Sequence, residues 1–133
     1  MENIMFIKKA PLAGNPIFEC GSFNGYVAVP PTNKYHGKSV DDLYDVVVHG
    51  GVTLSEPVCS TFLKDEMKDM GIDVTMGRND VLDDAIFLDG VKDVPSDWWI
   101  IGFDTSHDGD TKEKWTIETV SGETRWLNNE LSK

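Results

Sequence analysis

Asp104, His107 and Asp110 recur at three-residue intervals in the polar stretch Asp104-Thr105-Ser106-His107-Asp108-Gly109-Asp110. A second histidine stands in His49-Gly50-Gly51-Val52-Thr53. Two imidazoles and two carboxylates around one point would make a hard-to-borderline metal site, suited to Zn or Mn, or to Fe or Mg. A divalent metal there would bring the pKa of a bound water toward about 7 and generate a nucleophile. On this reading His49, Asp104 and His107 are the catalytic candidates. The metal ligands are His49, Asp104, His107 and Asp110, with Asp45 or Asp108 behind them as partner or base. A plainer reading stands beside it. Asp-x-x-His-x-x-Asp is not an established motif, Asp104 can cap a turn through its own backbone, and His107 can be an ordinary surface histidine.

Gly50-Gly51 also carries two readings. Successive backbone N–H groups there could cradle an anion such as phosphate, with Thr53 adding a hydroxyl; a tight turn needs the same residues. Trp99 and Tyr26 are the aromatic candidates for the same ligand pocket. Trp98 and Trp99 should face opposite sides of a regular strand, one in the core and the other against a helix or a ligand ring.

For these residues to meet, the elements carrying them must converge. Trp98–Phe103 is aromatic and β-branched and reads as a buried strand that ends at Asp104. Val46-Val47-Val48 reads as a short strand running into His49. If the two are parallel neighbours, their ends share one pocket. Further strands are expected at Met5–Ile7, Tyr26–Val29, Ile72–Met76 and Ala85–Leu88. Asn24-Gly25 is a turn signal before Tyr26, and Pro30-Pro31 stops that strand. Thr32–Lys38 reads as a loop and Asp41–Asp45 as a helical turn or lead-in. Ser55-Glu56-Pro57 reads as a helix start, predicting a helix over 57–70 that buries Phe62, Leu63, Met67 and Met70 and stops at Gly71. Ile117, Val120, Leu127 and Leu131 fall on one face of a terminal helix. The expected fold class is α+β: one small domain over 1–133, with a short mixed or antiparallel sheet, a middle helix and a C-terminal helix.

The totals exclude several function classes. The formal charge is −11 over 133 residues, and residues 65–110 carry −10 of it. Such a field repels phosphate backbones, so direct nucleic-acid binding is disfavoured. The acidic stretch reads either as a solvated face or as a surface for a basic partner. No apolar run is long enough for a membrane span. The apolar part of the first residues precedes Lys8-Lys9, the wrong order for a signal peptide, so a cytoplasmic protein is expected. Cys20 and Cys59 form no CxxC pair and lack a catalytic signature. No nucleophilic triad, Walker loop or dinucleotide fingerprint is present.

Gly25-Tyr26-Val27-Ala28-Val29-Pro30, Tyr35-His36-Gly37-Lys38, Val48-His49-Gly50-Gly51-Val52-Thr53 and Trp98–Asp110 stand in an order that resembles small uncharacterised bacteriophage and prophage proteins. Those carry G-Y-V-x-x-P, H-G-G-x-T and W-W-x-G-F-D-x-x-H-x-G-D elements. The four blocks together hold 29 residues. Residues 57–95 fall outside it and read as a variable insertion. Ile100-Ile101 stand where the pattern has one residue, which suggests a bulge. The resemblance implies a phage origin and action in the host bacterial cytoplasm, and by analogy with small accessory phage proteins a role against host defence. Two functions are then expected. In one, the His/Asp pocket binds and hydrolyses a small phosphate-bearing, nucleotide-type ligand. In the other, a non-enzymatic acidic inhibitor blocks a basic, nucleic-acid-binding groove of a host defence protein.

Overall fold

The computed structural model describes residues 2–11, 13, 20–59, 78–107 and 109–133. Five strands, β1 (Ile4–Lys9), β2 (Phe23–Val29), β3 (Leu54–Pro57), β4 (Ile86–Phe87) and β5 (Trp99–Phe103), pair in the order β3-β5-β2-β1-β4. Every pairing is antiparallel. Among the described residues one α-helix, α1 (Ile117–Leu131), packs across β1 and β2. The α+β expectation therefore holds, with an antiparallel sheet and a C-terminal helix. Of the helix expected over 57–70, residues 60–70 lie outside the described residues, as does the strand expected over 72–76.

Both faces of the sheet are buried, which is why the central strands read as nearly continuous apolar runs. On the helix side, Met5, Ile7, Val27, Val29, Ile101 and Phe103 meet Val120, Leu127 and Leu131. On the other side, Phe6, Tyr26, Ala28 and Ile100 meet Val58, Val81, Val94 and Trp98. Trp98 and Trp99 do go to opposite faces, Trp98 into the second core and Trp99 against the first. The β2–β5 register runs unbroken from Gly25↔Phe103 to Val29↔Trp99, so Ile100-Ile101 makes no bulge. Part of 57–95 is built into the sheet and its second core through β4, Val81 and Val94.

Three local expectations are corrected. Asn24-Gly25 is not a turn but lies inside β2. A Cβ at Gly25 would run into the Thr124 hydroxyl and the Phe103 ring, so the glycine is there to let α1 approach the strand. Ser55-Glu56-Pro57 is not a helix start but the end of the edge strand β3. Proline suits both roles, because its missing N–H is tolerated in a first helical turn and on a sheet edge. Val46–Val48 is not a strand. Val46 and Val48 are buried while Val47 is exposed, giving strand-like alternation without a ladder. The edge of β5 away from β2 is already taken by β3.

The helix starts at Thr116, whose hydroxyl accepts from the Thr119 N–H in a reciprocal capping box. Its buried face is Val120, Thr124, Leu127 and Leu131, whereas Ile117 is exposed. Thr124 is tolerated there because its hydroxyl donates to the Val120 carbonyl at 2.7 Å. Gly122 is exposed, and a Cβ there would meet nothing. Gly122→Ala should therefore stabilise the protein by about 1 kcal/mol, the intrinsic helix difference between the two residues. Equilibrium urea unfolding checks this; a loss of stability would mean that the bare backbone at 122 is needed for folding.

Candidate functional site

Past the end of β5 the chain is tied down before it reaches the polar cluster. Thr105 is fully buried, its N–H donates to Asn24 Oδ1 at 2.9 Å, and its hydroxyl donates to the Phe23 carbonyl at 2.7 Å. The Gly21 and Ser22 N–H groups donate to the Thr105 and Trp115 carbonyls. The segment carrying the expected site is thus fastened at both ends to the start of β2.

Asp110 is the hub. It is 4% exposed. Both of its carboxylate oxygens bond His49 Nε2, at 2.9 and 3.0 Å. It also accepts from the His107 backbone N–H at 3.0 Å and from Trp115 Nε1 at 3.0 Å. Burial alone would raise its pKa. The hydrogen bonds from His49, the His107 N–H and Trp115, with the His49 charge, outweigh burial and hold the pKa below the ordinary 3.8. An ionised carboxylate only accepts, so His49 Nε2 must carry the proton. In the neutral ring Nδ1 is then the basic nitrogen, and among the described residues it has no hydrogen-bond partner. The Trp115 ring lies 4.1 Å from the His49 ring, centre to centre. Glu123, on α1, accepts from the His49 backbone N–H at 2.9 Å.

His107 stands edge-on to His49, with ring centres 5.6 Å apart. Asp104 Oδ1 lies 2.9 Å from His107 Nε2, yet that buried nitrogen has no hydrogen bond. The two atoms are close, with the oxygen off the N–H direction. Gly50 makes room for this ring: its φ is 68°, and a Cβ there would run into the imidazole. Gly51 has φ 81°.

His49, Asp104, His107 and Asp110 therefore do come together, although the parallel strand pair expected to unite them does not exist. They assemble as two His–Asp pairs, not as one ligand sphere. Among the described residues no group of three or more His, Cys, Asp or Glu side chains is placed to hold a metal ion. The donor set does not fit the expected Zn or Mn, because Asp110 already faces protein N–H groups with both oxygens. The anion cradle expected at Gly50-Gly51 is also largely used internally. The Gly51 N–H donates to the Val48 carbonyl, the Thr53 N–H to the Gly102 carbonyl, and the His49 N–H to Glu123. Asp45 is exposed, and Asp108 lies outside the described residues.

Two aromatic candidates lie elsewhere. Tyr26 is buried in the second core, stacked 5.1 Å from Phe6. Burial raises its pKa; the Asn24 side chain opposes this, and the Asp104 and Glu56 charges reinforce it. Trp99 is at the start of β5, four residues and roughly 14 Å of strand from Phe103. It donates from Nε1 to Ser55 Oγ at 2.7 Å and lies 5.6 Å from the His36 ring. Trp115 and Glu123 went unread in the sequence. Trp115 follows the polar turn closely enough to have been weighed with it; Glu123, on a helix 74 residues beyond His49, gave no signal.

No family model, curated protein or solved structure matches the chain.

Proposed function

We propose that the protein is a phage accessory protein that counteracts a host defence by binding and hydrolysing a small phosphate-bearing, nucleotide-type ligand at the His49–Asp110 pair. The observation that carries this reading is the Asp110 carboxylate set on His49 Nε2, at 2.9 and 3.0 Å. A buried, ionised Asp110 holds Nε2–H and leaves Nδ1 as a base, the arrangement that orients an imidazole for proton transfer. Nδ1 would take the proton of a water attacking phosphorus. The new O–P bond would form as the bond to the leaving oxygen breaks, and that oxygen would take a proton from solvent. No metal step is included, because the described residues do not form a metal site. The phage origin and the anti-defence role rest on the sequence resemblance alone.

The experiment is a thermal-shift and hydrolysis screen with mono-, di- and cyclic nucleotides, with and without chelator, on wild type, His49→Gln and His107→Gln. A nucleotide at a hundredfold excess over its Kd should stabilise wild type by about 2.7 kcal/mol. His49→Gln should abolish hydrolysis, and chelator should change nothing. A wild type indifferent to every nucleotide, or a His49→Gln variant that still hydrolyses, would sink the reading.

A second reading has its own observation. Asp80, Asp83, Asp84, Asp89, Asp93 and Asp97 are all exposed. Among the described residues only Asp89 and Asp93 enter salt bridges, with Arg125 and Arg78. That face suits a non-enzymatic inhibitor occupying a basic groove of a host defence protein, in a complex that weakens steeply with salt.

A further inference from the structure

Tyr44, Val47 and Trp126 are 88%, 65% and 49% exposed. They belong together: Trp126 Nε1 donates to the Val47 carbonyl at 2.8 Å, and Tyr44 is three residues, at most about 10 Å of chain, from Val47. With its N–H satisfied internally, the indole offers the solvent an apolar surface. Gly122 sits one helical turn before Trp126, exposed, with nothing where its Cβ would be. Helical side chains lean toward the preceding turn, so the missing side chain at 122 leaves a notch beside the indole. The sheet does not need this glycine, and it costs helix stability. Beside Tyr44 and Val47 the charge has one sign, and Arg125, next to Trp126, is engaged by Asp89. Residues 40–47 contain Asp41, Asp42 and Asp45, all exposed, and no basic residue.

We propose that Tyr44, Val47, Trp126 and the Gly122 notch form a docking surface for a basic segment of another protein that carries apolar side chains. This rests on the inhibitor reading for the existence of a basic partner, but puts the contact on the 40–47 segment and α1 instead of on the 80–97 face. Charge selects the occupant. A second copy would bring another −11 onto the same acidic rim. Nucleic acids and anionic membranes are repelled by it. A cationic protein segment gains from the rim, and its apolar side chains fill the notch. Exposed aromatics of this kind dominate binding energy where they are buried by a partner.

The test uses two synthetic helical peptides of equal positive charge, one of Leu and Lys and one of Ser and Lys, titrated calorimetrically into the full chain. The Leu/Lys peptide should bind at least about tenfold tighter, the scale of one buried aromatic anchor. Tyr44→Ala and Gly122→Leu should each erase that preference. Both positions are exposed, and circular dichroism should show the fold intact. Asp42→Asn with Asp45→Asn should weaken both peptides. Equal binding of the two peptides, or a preference that survives Tyr44→Ala, overturns the proposal. If Asp83→Asn with Asp84→Asn weakens binding more than the 42/45 pair does, the docking surface is wrong while the inhibitor reading stands. Failure of both peptides to bind at low salt overturns both readings. Sedimentation showing self-association that Tyr44→Ala abolishes would make a second copy the occupant and overturn the proposal.

Discussion

Asp110→Ala should lower the unfolding free energy by about 3–5 kcal/mol, because it leaves several N–H donors without their acceptor at about 1–3 kcal/mol each. The change strips the acceptor from His49 Nε2, the His107 N–H and Trp115 Nε1 together. Asp110→Asn keeps one acceptor oxygen and should lose less, about 1–3 kcal/mol. The pH dependence separates charge from shape. A carboxylate whose folded pKa lies below its ordinary 3.8 stabilises the fold above that pH, and this stability is lost as pH falls through the folded value. Wild type and Asp110→Asn should therefore differ most at neutral pH and converge as pH falls below 3.8 toward the folded value. Urea unfolding at pH 7 and pH 3 measures both. A neutral-pH loss under about 1 kcal/mol for Asp110→Ala would show that the turn is held by its flanks at Thr105 and Trp115, not by the carboxylate.

The other large effect is expected from Phe103. Its side chain is 1% exposed in the helix-side core, and its ring fills the space that a Cβ on Gly25 would need. Phe103→Ala should cost about 3–5 kcal/mol, because α1 spans β1 and β2 and cannot easily settle into the cavity. Phe103→Leu should cost under about 1.5 kcal/mol. Denaturant unfolding with an unchanged m-value is the measurement. A cost near 1 kcal/mol for the alanine variant would mean that the helix relaxes toward β2, and Gly25→Ala should then be better tolerated than the present packing allows.

Much of the fold could be read in the chain because burial follows period. Trp98–Phe103, Tyr26–Val29 and the Val120/Leu127/Leu131 face are strong patterns, and each became the expected element. Two of the misreadings share one cause: a residue type with two structural uses. Pro57 serves a helix start or an edge strand, and Asn24-Gly25 a turn or a close helix crossing. The decision lies with Trp99 opposite Pro57 and Thr124 above Gly25, neighbours that are distant in sequence. The candidate site shows the same split. The residue types and the convergence of His49 with the Asp104–Asp110 turn were legible. The pairing was not, because whether Asp110 faces a cation or an imidazole depends on where Trp115 and the His107 N–H point.

The sheet order has a consequence for how the chain folds. β1 and β2 are close in sequence, but the second neighbour of β2 is β5, which follows only after β3 and β4. Until β5 docks, one edge of a strand as apolar as Tyr26-Val27-Ala28-Val29 stands open. His49 likewise waits 61 residues for Asp110. Non-local pairing of this kind slows folding, and the open strand edge invites association between incompletely folded chains. Yield on refolding should accordingly fall as protein concentration rises, with the β1–β2 hairpin as the element that associates.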